Sequence, residues 1–165
     1  MGLADSIRVL NNLKRRRVIR DYALIGSVAA TSYMEPIFTE DLDIVVLVNT
    51  DEEFQQLFLQ VTSYSDGMEG MHHVLGGVLV QLFPTTIKPL YEDTLHDARR
   101  ARVGNLRVKV ASPEHLVLLA LEAFRERDRF RITALRPSVD ERKLNGLLRR
   151  FDETGTLTSR LQTLR

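Results

Sequence analysis

Two aspartates, Asp41 and Asp43, stand one residue apart at the head of the apolar run 42–48 in "TEDLDIVVLV". In a strand, residues i and i+2 project from the same face. The two carboxylates therefore emerge side by side at the mouth of a segment that is otherwise buried. Like charges so close repel unless something neutralises them. A divalent cation does so, and carboxylate oxygens suit Mg²⁺, which binds through one or two carboxylates and leaves other positions to phosphate. Upstream, Gly26-Ser27 closes a short apolar stretch, "DYALIG", and opens a segment of small, helix-compatible residues. Glycine lets a backbone approach a phosphate closely, and a helix start offers free N–H groups to an anion. A phosphate cradle and a carboxylate pair on neighbouring strands together make a triphosphate–Mg²⁺ site. The competing reading is structural: strand-edge carboxylates paired with arginine, and an ordinary turn at Gly-Ser.

The elements that must position these residues follow from the hydrophobic pattern. Leu3, Ile7, Leu10 and Leu13 recur at helical spacing, so the first fifteen or so residues read as an amphipathic helix. The basic run 14–17 ends it, where cations favour the helix dipole; its second reading is a phosphate-binding patch. Stretch 21–26 reads as a short buried strand, and Pro36 breaks any helix that follows it. Run 42–48 has the composition of a central strand covered on both faces. Thr50, with Glu53 three residues on, signals a capping box for a helix burying Phe54, Leu57, Phe58 and Val61. Residues 63–70 read as a loop, and Gly76-Gly77 as the turn of a hairpin. A helix is expected over about 89–102, a half-exposed strand over 106–110, and one long helix from Ser112-Pro113 to Pro137. A shorter helix opens at Asp140, and a last one is expected in the tail. Strands mixed with helices come first and helices alone follow, which is an α+β order.

Composition sets bounds on function. The chain has 165 residues, close to the ~150 of one domain. Hydrophobic residues make up 44% and charged residues 27%, a globular balance. With 23 basic and 22 acidic residues the net charge is +1, so no whole-molecule field recommends nucleic acid or a membrane surface, and no DNA partner is evident. Cysteine is absent, which excludes disulfides and thiolate metal sites. No signal-type or spanning apolar run is evident, and a cytoplasmic protein is the expectation. His72 and His73 are adjacent, so a strand would turn them to opposite faces and away from a shared ion. Ser112 reads as a helix cap and forms no recognisable nucleophile arrangement with Ser32 or His115.

The hydrophobic-Gly-Ser pattern, thirteen residues, then Asp-hydrophobic-Asp resembles the nucleotidyltransferase superfamily of the polymerase-beta type, with Thr39 two residues before the first aspartate. Past the motif, 76–100, 108–135 and 139–152 look like the small bacterial AbiEii-like and related uncharacterised branches, including the run Arg125-Glu126-Arg127-Asp128-Arg129. The resemblance covers roughly 20–152. It implies one nucleotidyltransferase-like domain over 1–165: an α+β core over about 20–110, a small mixed sheet flanked by helices, then a helical part over about 112–165. It implies Mg²⁺ held by Asp41 and Asp43 as catalytic and metal residues, and a nucleoside triphosphate held by Gly26, Ser27 and Thr39. Arg125 and Arg129, taken as four apart on one helix face, are the expected phosphate clamp. The reaction would move a nucleotide from the triphosphate to an unknown hydroxyl on protein, RNA or a small molecule, in a toxin-type enzyme with an antitoxin-like protein partner. The sequence departs from the family in two places. The family arginine before the threonine is absent, with Ile37 in that neighbourhood. Active members carry a third carboxylate on a later strand, and by position it falls in "VLVQLFP", where Gln81 stands. Glutamine neither accepts a proton nor binds Mg²⁺ well. Glu69, Glu92 and Glu122 are alternative acids by type. A non-catalytic nucleotide-binding or protein-interaction domain is the alternative.

Overall fold

The β-branched run behind Asp43 can satisfy its backbone only by pairing on both sides, and it does so at the centre of a seven-stranded sheet. The computed structural model describes residues 2–35 and 41–164. The chain order is α1 (Leu3–Arg15), β1 (Tyr22–Ile25), α2 (Gly26–Ala30), β2 (Asp41–Val46), α3 (Asp51–Tyr64), β3 (Met68–Glu69), β4 (His72–Leu75), β5 (Val78–Pro84), α4 (Pro89–His96), β6 (Arg99–Val103), β7 (Leu106–Val110), α5 (Pro113–Ala123), α6 (Glu126–Leu135), α7 (Glu141–Phe151) and α8 (Thr156–Gln162). The strands lie in the order β3-β4-β5-β2-β1-β7-β6. The pairs β2–β5 and β1–β7 are parallel, and the others are antiparallel.

Burial follows position in that order. All of β1 is buried, as are Leu42, Ile44, Val45 and Val46 of β2. Each Leu, Ile or Val side chain among them contributes roughly 1.5–3 kcal/mol when fully removed from water. Helix α1 buries Ile7, Leu10 and Leu13 and packs against β4 and β7. Helix α3 starts where Thr50 Oγ1 accepts the Glu53 N–H at 3.0 Å. The return arm differs from the expected box: Glu53 Oε2 takes the N–H of Asn49, at 2.8 Å. Leu57 and Val61 are buried, while Phe54 and Phe58 are half-buried. Helix α5 is the hub of the helical part, packing on α2, α6, α7 and α8. Its start is the expected one, with Ser112 Oγ accepting the His115 N–H at 3.1 Å.

Three elements differ from the sequence reading. The helix expected over 89–102 ends at His96, and Arg99–Val103 is a strand paired with β7. Arginines at 100 and 102 alternate with Ala101 and Val103 there, a period of two that pairing with β7 exploits. The long helix over 112–137 is two helices. Phe124 turns left-handed, at φ 49°, and ends α5; Arg125 then caps α6, exchanging hydrogen bonds with Asp128. A local cap that satisfies both backbone and a buried carboxylate outcompetes continuation of the helix. The third is a two-residue strand, β3, inside the loop 63–70, paired with β4. Pro36, Ile37 and Thr39 lie outside the described residues.

The β4–β5 turn fixes α1 to the sheet. Gly76 and Gly77 have φ of 58° and 82°. A Cβ on Gly76 would lie 2.6 Å from both Asp5 C and Ser6 N, backbone atoms that cannot move aside. Gly76→Ala is therefore expected to cost about 2–4 kcal/mol, from left-handed strain plus overpacking. Urea unfolding measures it, and an unchanged midpoint would show that α1 does not seat on this hairpin.

Candidate functional site

Gly26 and Asp43 meet at the end of the two central strands. Ile25, the last residue of β1, pairs with Asp43 on β2. The chain leaves β1 through Gly26 at φ 71°, and a Cβ there would lie 2.6 Å from Asp43 Oδ2. Only glycine accommodates both the turn and the carboxylate. On its other side Asp43 pairs with Gln81 of β5, and Asp41 pairs with Leu79. The β4–β5 register, His73 against Val80, carries His72 to Gln81. Asp41 sits two residues before Asp43 on the same face, with His72 Nε2 at 3.6 Å from its Oδ2.

Burial raises the pKa of Asp43, and the neighbouring Asp41 charge raises it further. His72, Arg131 and Arg127 pull in the opposite direction without prevailing. The site thus holds a carboxylate that is costly to ionise and gains from an added positive charge.

These carboxylates open into a cleft of about 1230 Å³. Gly26, Ser27, Asp41 and Asp43 form its strand side, and the α5–α6 turn forms the other wall with Arg125, Arg127, Asp128 and Arg131. Arg131 is 7% exposed; its Nη2 donates to Ser27 Oγ at 2.5 Å, and Asp128 lies 3.5 Å from its Nη1. Its Nε has no hydrogen-bond partner among the described residues. Burial pushes Asp128 up, but hydrogen bonds from the Arg125 side chain and backbone outweigh it and hold the carboxyl below its usual range. Asp128 is thereby kept charged between Arg125 and Arg131. Lys88 and Glu122 close another part of the cleft, 2.6 Å apart.

Of the residues singled out from the sequence, Gly26, Ser27, Asp41, Asp43 and Arg125 line this one cleft. Arg125 does so as the N-cap of α6, one turn before Arg129, whose N–H donates to the Arg125 carbonyl at 3.0 Å. Arg129 is turned away, its guanidinium 4.5 Å over the Phe124 ring. Thr39 lies outside the described residues. Glu122 reaches the cleft but is held by Lys88; Glu69 and Glu92 do not line it. Arg127, Arg131 and Lys88 were given no site role from the sequence, and His72 was read only as one of two histidines turned away from a shared ion. A signal for two of them existed: with the helix starting at 126, Arg127 and Arg131 are four apart on one face. Locating the break at Phe124 was the missing step.

His72 and His73 do part to opposite faces: His73 is buried against Phe58, with Thr62 Oγ1 2.9 Å from its Nε2. Ser112 Oγ lies 2.6 Å from His115 Nδ1, and His115 Nε2 lies 2.7 Å from Asp93 Oδ2. Serine, histidine and aspartate here form a buried cap network, since Ser112 is wholly buried and does not line the cleft. Among the described residues no group of three His, Cys, Asp or Glu side chains is arranged to hold a metal ion.

The fold is of the nucleotidyltransferase type. The chain superposes on the crystal structure of an antigenic nucleotidyltransferase-like protein from Paracoccidioides brasiliensis with a TM-score of 0.59 and 18% identity, over 93% of this chain and 90% of that one. No family model matches this sequence, and no curated protein is similar enough in sequence to count as a relative. Among the described residues no helix is long and apolar enough to cross a membrane.

The raised Asp43 pKa has a measurable consequence. A carboxyl that binds its proton more tightly in the folded than in the unfolded chain costs stability wherever it is ionised. Asp43→Asn is expected to raise the melting temperature at neutral pH. The gain should shrink as pH falls through the raised pKa and vanish below 3.8, the unperturbed value. A substitution that destabilises equally at every pH would mean that the carboxylate is held by an unseen favourable contact.

Proposed function

We propose that this protein is a Mg²⁺-dependent nucleotidyltransferase that moves a nucleotide from a nucleoside triphosphate to a hydroxyl acceptor. The observation that carries the reading is the meeting of Gly26 with Asp43 in a cleft that also gathers Asp41, Ser27 and three arginines. Asp41 and Asp43 would hold Mg²⁺, and the raised Asp43 pKa fits a carboxylate that gains from a cation. Bound there, the ion would supply positive charge to the phosphates. Ser27 Oγ, Arg131, Arg127 and Arg125 would bind the phosphate tail, with guanidinium forks matching phosphate oxygens. The acceptor hydroxyl oxygen attacks the α-phosphorus, the bond from that phosphorus to the α–β bridging oxygen breaks, and pyrophosphate leaves with the bond's electron pair.

The hydroxyl proton needs an acceptor, and Gln81 beside Asp43 cannot serve. His72, 3.6 Å from Asp41, is the neighbouring side chain with a basic nitrogen, and we assign it that role. The AbiEii-like resemblance adds a toxin-type enzyme in the cytoplasm, restrained by an antitoxin-like protein. A second reading, a nucleotide-binding domain without transfer, is favoured by Gln81 and by the lack of a third metal-ligating side chain among the described residues.

Thermal shift tests the binding step. Mg²⁺-triphosphate at a hundredfold over its dissociation constant should add about 2.7 kcal/mol of stability. Asp41→Asn with Asp43→Asn should abolish the shift while leaving the protein folded. No shift with any of the common triphosphates would remove the reading. Transfer of labelled nucleotide to cell RNA or protein extract then separates enzyme from scaffold. His72→Asn should lower transfer by about 10²–10⁴, the usual loss for a general base. Gln81→Glu should rescue it. If His72→Asn transfers normally, the base is elsewhere; if the wild type binds triphosphate but never transfers, the scaffold reading holds.

A further inference from the structure

On the sheet edge formed by β6 and β7, Arg100 pairs with Lys109 and Arg102 with Arg107. Cross-strand partners share a face, and residues two apart along a strand share it too. Four cations therefore stand in a two-by-two array, each facing a like charge across the ladder. Like charges directly opposite destabilise a hairpin, so this arrangement has no folding rationale of its own. Lys14 from the end of α1 joins it, and all five line one groove of about 570 Å³. The counter-charge is Asp21, 2.6 Å from Lys109 and 3.0 Å from Lys14. Arg100, Arg102 and Arg107 are exposed and form no ion pair among the described residues.

We propose that this groove binds the phosphodiester backbone of single-stranded nucleic acid. Residues two apart in a strand are about 7 Å from one another, a spacing comparable with that of successive phosphates along an extended strand. The lining offers no exposed aromatic face for a base: Tyr22 is buried, with its hydroxyl 2.6 Å from Asn11 Oδ1. The groove therefore reads charge and spacing, not sequence. An anionic membrane fits less well. The exposed large apolar residues, Leu59, Tyr64, Met71, Ile87 and Phe130, are absent from the lining, and nothing there can insert into lipid. The binding stands apart from the transferase reading and does not need it.

The test is fluorescence anisotropy of the full chain with a labelled poly(U) RNA, a single-stranded DNA of equal length and a duplex, over a range of salt. Phosphatidylserine vesicles form a parallel arm. Three phosphates neutralised by Arg100, Arg102 and Arg107 should give a slope of log K against log salt of about −2 for single strands. Arg100→Gln, Arg102→Gln and Arg107→Gln together should weaken binding at least tenfold and bring the slope towards zero. The same variant should melt no earlier than the wild type, because it removes like-charge repulsion. Should it misfold, Arg102→Glu alone, with Arg102→Lys retaining binding, carries the same comparison. Asp41→Asn with Asp43→Asn should leave the affinity intact, whatever it does to triphosphate. Similar affinity for RNA and DNA supports backbone reading; a strong preference for one, for duplex or for vesicles overturns it, as does a triple variant that binds like the wild type.

Discussion

Asp43 is a charge that the fold has half buried beside another charge, and much of the neighbouring structure answers that fact. Its backbone is committed to the sheet on both sides, against Ile25 and against Gln81, so it cannot shift to relieve the repulsion. Residue 26 must then be glycine, because any Cβ would enter the space of the carboxylate. Arg131 and Arg127 come from the far wall of the cleft and supply part of the opposing field. Arg131 is itself a buried cation, and a buried charge is tolerated when it is paired and hydrogen-bonded. Ser27 and Asp128 do that for it. Asp128 in turn caps α6 through Arg125, so the break in the helix, the arginine and the carboxylate belong to one electrostatic arrangement.

The near-zero net charge conceals how the charges are distributed. The cleft mixes acids and bases, with Lys88 on Glu122 and Arg125 on Asp128. One face of the β6–β7 edge gathers Arg100, Arg102, Arg107 and Lys109 around the carboxylate of Asp21. A count over the whole chain averages the two regions away, although a ligand meets only the local field within a Debye length of about 8 Å.

Several parts of the fold and site were legible in the residues alone because their signals are local. The strand at Asp41–Val46 follows from a β-branched run, the helix caps at Thr50 and Ser112 from side chains that bond the backbone three residues away, and the hairpin from Gly76-Gly77. The sharing of one face by Asp41 and Asp43 follows from strand period alone. The strand at Arg99–Val103 was less legible, since its five residues begin with charged side chains that also suit a helix end; pairing with β7 decides its state. The break at Phe124 was hidden in the same way, because both flanking segments have good helical patterns and the deciding bond, Asp128 to the Arg125 N–H, is a cap that also serves the buried Arg131.

The sequence by itself thus determined the local chemistry of the site: two carboxylates on one face of a strand, a Gly-Ser pair at a strand-to-helix turn, and an amide, Gln81, in a later strand. Only the tertiary structure decided which side chains of distant elements face them. Arg131 reaches Ser27 across 104 residues of chain, and His72 reaches Asp41 from a strand beyond β5. No local rule encodes such pairs, because their energies arise from burial and from the meeting of separate elements, which exist only once the sheet and the α5–α6 turn have formed.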